Sequence, residues 1–240
     1  MAAELDAIDE TDPTEQLLDV EVGPNYNVAP TTRVLAVVDR HDREHPDEPA
    51  SRRVRRMRWG LVPHWAKAAK PGVPERGKPL FNARAEAASS TPAFRDSFTG
   101  RRCLIPMDGW FEWTISNSGA KIPHFMQRTD GQRIYAAGLW SVWHDGTGGK
   151  PLLSCTILTT DSVADLTTVH DRMPLLLDES DWSTWLDPDH RPAKSITSGV
   201  DPELARLIEI RTVSAAVNSV KNNSPDLLDE AKPTGHDTLF

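Results

Sequence analysis

Residues 101–113 read Arg-Arg-Cys-Leu-Ile-Pro-Met-Asp-Gly-Trp-Phe-Glu-Trp. The apolar run Cys103-Leu104-Ile105 has the length and character of a buried strand and stops at Pro106. Asp108-Gly109 can turn the chain. A single carboxylate, Glu112, then stands among Trp110, Phe111 and Trp113. A carboxyl group surrounded by large aromatics is costly to ionise, so its pKa rises unless a cation or donor sits beside it. That is the property a general acid or base needs near neutral pH. The alternative is that Glu112 lies on the wet side of a strand whose aromatics alternate inward. Spacing alone leaves both readings open.

Downstream of this stretch the pattern is that of an antiparallel sheet. Phe111–Ile115, Ile122–Arg128, Gln132–Trp143 and Leu152–Thr159 read as strands, and Asp130-Gly131 is a hairpin signal between two of them. A short helix is expected over Asp161–Thr168, with Asp161 as its cap. His170 and Arg172 follow, the arginine placed to depress the imidazole pKa. Residues 179–187 and 202–209 read as helices. Thr212–Val220 reads as a last strand and loop, and 229–240 as a disordered tail. Upstream, Ala2–Glu10 has helical spacing and 11–24 reads as loop. Arg33–Val38 and Val54–Val62 read as strands, and residues 92–98 as a short helix. No repeats occur, and no linker divides the chain, so one domain is expected.

The formal net charge of −8 conceals an uneven distribution. Residues 1–22 carry eight acids and no base, whereas residues 52–102 carry thirteen Lys and Arg against Glu75, Glu86 and Asp96. Such a block would suit a polyanion, unless Arg52, Arg53, Arg55, Arg56 and Arg58 form an ordinary solvated strand face. Asn82 and Arg84, two apart in an extended segment, share a face that can offer an amide and a guanidinium to a phosphate. The alternative there is a surface pair between Arg84 and Glu86. Cys103 and Cys155 both lie in apolar runs, as buried reduced thiols of an intracellular protein do. No secretory signal, no zinc-ligand spacing and no apolar run approaching the ~18 residues of a membrane span is present. His64, His124 and His170 are far apart and no His-Glu-x-x-His occurs, which speaks against a metal hydrolase.

Five segments taken together resemble one family: Tyr-Asn-Val-Ala-Pro (26–30), Trp-Gly-Leu-Val-Pro-His-Trp (59–65), Asn-Ala-Arg-Ala-Glu (82–86), Asp-Gly-Trp-Phe-Glu-Trp (108–113) and His-Asp-Arg-Met-Pro (170–174). In order and spacing they are similar to the SOS response-associated peptidase (SRAP) family of abasic-site processing proteins, and Val213–Lys221 resembles its C-terminal pattern. The resemblance implies an α+β fold. A single compact domain, residues 1–228, would be built around a twisted, barrel-like, mainly antiparallel β-sheet with short peripheral helices. It implies binding of single-stranded DNA and capture of the ring-opened abasic aldehyde, as part of a DNA-damage response. In the family a terminal cysteine supplies an α-amine that forms an imine and a thiol that closes a thiazolidine, a covalent DNA–protein crosslink. Lyase character and trimming of the protein's own N-terminus are further implications.

Carried over by position, Glu112 resembles the acid/base for the amine and imine, His170 the group that moves protons on the sugar, and Asn27 a positioner of the N-terminal residue. Asn82, Arg84, Arg172 and Thr159 resemble DNA contacts, and Trp65 an aromatic wedge stacking at the lesion. No metal or other cofactor and no membrane partner are implied. A monomer in the cytoplasm, associated with the nucleoid, is expected. The sequence departs from the pattern in two places. It begins Met1-Ala2-Ala3-Glu4 where the family begins Met-Cys-Gly-Arg, with no cysteine before Cys103, and Ala66 stands where many relatives have an aromatic. The first departure gives two expectations: about a dozen residues precede this start in the natural protein, or the chain is a single-stranded or modified DNA binder without crosslinking chemistry.

Overall fold

The computed structural model describes residues 1–11 and 23–231. Its strands in chain order are β1 (Ile8–Asp9), β2 (Arg33–Arg40), β3 (Ser51–Trp59), β4 (Ala68–Lys70), β5 (Val73–Pro74), β6 (Asn82–Arg84), β7 (Arg102–Met107), β8 (Gly109–Ile115), β9 (Lys121–Arg128), β10 (Ile134–Trp143), β11 (Leu152–Asp161), β12 (Arg172–Pro174) and β13 (Ile208–Thr212). The large sheet has eight strands and runs β1-β3-β2-β7-β10-β11-β12, with β6 pairing β11. A parallel contact of Ser154 and Cys155 on β11 with Arg58 and Trp59 on β3 curls this sheet into a partial ring. The fold is α+β and the large sheet mainly antiparallel, with short helices at Ala85–Ala88, Arg95–Gly100, Glu179–Leu186 and Pro202–Arg206.

Strand periodicity of two sends alternate residues to opposite faces, and here both faces are buried. Val37, Leu104, Ala137, Leu139 and Leu158 enter the main core with Leu175, Trp182 and Trp185. Their neighbours Ala36, Val38, Met57, Cys103, Ile105, Trp140 and Cys155 form a second core on the other side. This explains the uninterrupted apolar runs at 34–38 and 103–105. Burial pushes the Cys155 thiol up to about 12 and raises Cys103 as well, so neither is a ready nucleophile.

β8 and β9 belong to a separate three-stranded sheet, β13-β9-β8. Its register sets Glu112 opposite His124 and Trp110 opposite Met126. Directly paired residues share a face, so Trp110, Glu112 and Met126 look toward the main core. Phe111, Trp113 and Phe125 look the other way, onto Val213, Val217 and Leu227. The wet-side reading of Glu112 therefore fails. Gly109 opens β8 because a Cβ there would collide with the Met126 carbonyl oxygen.

Several expected elements are reassigned by these pairings. Ala2–Glu10 is not a helix. A 3-10 turn covers Ala3–Leu5, and Ile8–Asp9 adds in parallel to β3 at Arg53 and Val54. Asp130-Gly131 does turn the chain, with Gly131 at φ +71, but it links two sheets and closes no hairpin. Asp161 ends β11 and pairs with Arg172, and the following turn at Ala164–Thr168 is 3-10. The last strand is Ile208–Thr212, which cuts the expected 202–209 helix to Pro202–Arg206, and Ala215–Asn218 is a 3-10 turn. At the C-terminal end, Glu230 bridges to Val213, so the chain is ordered as far as that contact. The expected loop over 11–24 and tail over 229–240 fall mostly outside the described residues.

The basic block is not one free surface. Glu10 is gripped by Arg53, Arg40 and Arg55, while Arg53 also reaches Asp42 and Arg52 pairs with Asp39. Burial pulls the Glu10 carboxyl up, but the Arg53 bond and the charges of Arg55, Arg40 and Arg53 together hold it below its ordinary value. Arg102 is only 2% exposed. It donates to the carbonyls of Phe98, Thr99, Trp185, Asp187 and His190. Those carbonyls lie in or just beyond the last turns of two helices, where backbone acceptors lack partners of their own.

Candidate active site

A cleft of about 280 Å³ opens between the large sheet and β8. Its apolar walls are Trp59, Met107, Trp110, Ile157, Met173 and Pro174, and its polar groups are Glu112, His170, Asn82, Thr159 and Arg172. Glu112 arrives on β8 because the strand alternation turns it toward the main sheet. His170 arrives from the turn that follows Ala164–Thr168. Asn82, Thr159 and Arg172 come from β6, β11 and β12, which lie side by side: Thr159 pairs with Arg84 on one side and Pro174 on the other.

The electrostatics fit proton transfer. Burial raises the Glu112 carboxyl above its ordinary value, the His170 charge draws it back, and Asp171 pushes it up again. The imidazole of His170 is anchored through Nδ1. The backbone N–H of Arg172 donates to Nδ1 at 2.9 Å. The Arg172 carbonyl and an Asp171 carboxylate oxygen each lie 3.1 Å from the same nitrogen. A ring that accepts the Arg172 N–H through Nδ1 carries its proton on Nε2.

Arg172 does not turn its charge on the imidazole as the sequence suggests. Its guanidinium donates to Asp161, Glu86 and the Thr159 carbonyl. Glu86 is thus taken by Arg172, and the expected Arg84–Glu86 surface pair is not formed. Asn82 and Arg84 are exposed on either side of the buried Ala83, so they do share a face, yet only Asn82 lines the cleft. Trp65 stands 59% exposed on a separate projection. Asn27 lies outside the cleft lining, and its amide donates to the carbonyls of Val217, Ser219 and Asn222. This pins the Tyr26–Pro30 loop to the C-terminal segment, which Trp113 also holds through its bond to Asn218.

Trp59, Met107, Trp110, Met173 and Pro174 lie within the motif-bearing stretches and Ile157 within an expected strand, but only the pairing of the sheets shows that they wall one cleft. His124, opposite Glu112, is held between the Thr114 and Thr212 hydroxyls, and burial lowers its pKa. Among the described residues no group of three or more His, Cys, Asp and Glu is arranged to hold a metal ion. No helix there is long and apolar enough to cross a membrane.

Residues 2–220 match the SOS response associated peptidase (SRAP) family. The chain belongs to that family. It is 35% identical over 224 residues to the abasic site processing protein YoqW of Bacillus subtilis, covering 93% of this chain and 94% of that protein. The abasic site processing protein YoaM of the same organism is 36% identical, with 93% and 92% covered. The match to the abasic site processing protein HMCES of Xenopus tropicalis is 30% identical and covers 85% of this chain and 65% of the longer relative. A crystal structure of a Bacteroides thetaiotaomicron protein superimposes with a TM-score of 0.73 at 22% identity, over 96% of this chain and 94% of that one, and so shares the fold.

Proposed function

We propose that this protein processes abasic sites in single-stranded DNA, with the ring-opened sugar seated in the cleft between Glu112 and His170. The observation that carries the reading is the meeting, on one apolar-walled cleft, of a carboxyl group with raised pKa and an imidazole anchored through Nδ1. The names of the relatives give the substrate class. An abasic sugar in its open form exposes an aldehyde and acidic protons on the adjacent carbon. His170 moves protons at the sugar during ring opening and β-elimination. Glu112 accepts and returns the proton of an attacking amine. In this reading Asn82, Thr159 and Arg172, which line the cleft, contact the DNA beside the lesion, Arg84 and Trp65 contact the strand beyond, and Asn27 orders the chain's beginning.

The covalent form of the reaction joins a terminal α-amine to the aldehyde with loss of water. A neighbouring thiol then adds across the imine to give a thiazolidine. Cys103 and Cys155 are both fully buried, so this step is proposed only for a chain beginning Met-Cys-Gly-Arg. Peptidase action, named in the family title, is confined here to trimming of that terminus. A second reading, a single-stranded or modified DNA binder without covalent chemistry, is favoured by the burial of both Cys103 and Cys155.

The test is an oligonucleotide with one abasic site, resolved on a denaturing gel beside its undamaged twin. Strand cleavage or adduct is expected on the abasic strand alone, falling about 100-fold in Glu112→Gln and in His170→Gln. An untouched abasic strand, or variants as active as the parent, overturns the catalytic reading.

A further inference from the structure

The loop between β3 and β6 carries a small arm, residues 63–79, whose strands β4 and β5 pair only with each other. A lone two-stranded hairpin is marginal in water, so something else must hold it. Two side chains at the end of the β10–β11 hairpin do so. Trp143, 2% exposed, donates its indole N–H to the Ala66 carbonyl at 2.7 Å. Asp145 accepts the Gly72 N–H at 2.6 Å, while its other oxygen is fixed by the backbone and hydroxyl of Thr147. Gly72 has φ +73, the left-handed turn that presents this N–H. The arm is therefore fastened at its base and at its tip.

Its charge differs from that of β3. Lys67, Lys70, Arg76 and Lys78 are all exposed, and none of them is ion-paired among the described residues. Glu75 is the only acid in the arm. Trp65 stands at the base of the same projection.

We propose that this arm is a phosphodiester-binding element, held in register by Trp143 and Asp145 so that its cations follow the nucleic-acid backbone. The inference rests on the function proposed above and names the surface that carries the flanking strand. Neither Trp143 nor Asp145 touches DNA in this account, and both are positioning residues. Arg52, neutralised by Asp39, contributes nothing to this surface.

The test uses anisotropy of an undamaged single-stranded oligonucleotide across a salt series, with limited trypsin digestion as a second readout. The Lys67→Ala/Lys70→Ala/Lys78→Ala protein should lose about 2 from the slope of log K against log salt, at about 0.7 per phosphate contact. Arg52→Ala should leave the slope unchanged. Asp145→Ala and Trp143→Phe should speed cleavage after Lys67 and Lys70 on the order of ten-fold and weaken binding several-fold. A parent protein that binds no single-stranded DNA would sink the proposed function and this inference together. Binding by the parent with an unaltered slope in the lysine variant would overturn the arm alone. Unchanged digestion in both Asp145→Ala and Trp143→Phe would overturn the fastening.

Discussion

β3 and the arm at 63–79 look alike as strings of letters, since both crowd Lys and Arg into a short span, but the fold treats them in opposite ways. On β3, Arg52, Arg53 and Arg55 are matched to Asp39, Glu10 and Asp42. On the arm, Lys67, Lys70, Arg76 and Lys78 face solvent with no acid partner among the described residues. A count of basic residues therefore measures neither available charge nor a binding face. What separates the two is whether a distant segment returns with carboxylates. Glu10 does so from the N-terminal strand, whereas the carboxylate that reaches the arm, Asp145, is taken by the Gly72 N–H and by Thr147 and leaves the four cations alone.

Arg102, 2% exposed, is the most deeply committed cation. Arg102→Met strands carbonyls at the ends of two helices, and urea denaturation should show a loss on the order of 3 kcal/mol or more. A loss under 1 kcal/mol would mean that those carbonyls find other partners.

Glu10→Gln comes next. It leaves Arg40, Arg53 and Arg55 crowded without their shared carboxylate, for an expected loss of about 1–3 kcal/mol. The sign of the pH dependence follows from the lowered carboxyl pKa. The stabilisation is complete above the unfolded-state value and fades as pH falls through the folded-state value. The gap between parent and variant should thus be widest near neutrality and close on strong acidification. A gap that is constant with pH would assign the loss to packing alone.

The smallest effect belongs to the arm. Lys70→Ala should change stability by no more than about 0.5 kcal/mol, because the side chain does nothing for the fold. A larger loss would place the arm's cations with those of β3.

Much of the sheet was legible in the sequence because strand alternation and apolar runs are local signals. The runs at 33–38, 103–105 and 152–159 formed strands where their patterns put them. What escaped was decided by partners remote in the chain. Ile8–Asp9 became a strand because β3 offered an edge and Arg53 a charge. Asp130-Gly131 carried the right turn chemistry, but its two strands belong to different sheets, and no local pattern records that. At the cleft, the Glu112 environment was readable from its aromatic neighbours. The direction it faces was not, because Trp110 and Trp113 lie on opposite sides of β8 and only the pairing with β9 reveals which side is the core. Arg172 shows the same limit: its nearness to His170 in sequence says nothing of Glu86, which claims its guanidinium from across the fold.

The proposed mechanism turns on Glu112, whose carboxyl burial raises above its ordinary value, as the proton-transfer group of the cleft. Its most direct test is the pH profile of abasic-site processing, measured for the parent and for Glu112→Gln with thermal melting recorded alongside. The parent rate should fall on acidification with a midpoint above 4.5, the ordinary glutamate value. The variant should melt no lower than the parent and lose both the rate and that acid limb. A Glu112→Gln protein that processes the lesion at the parent rate, with the same acid limb, would contradict the account.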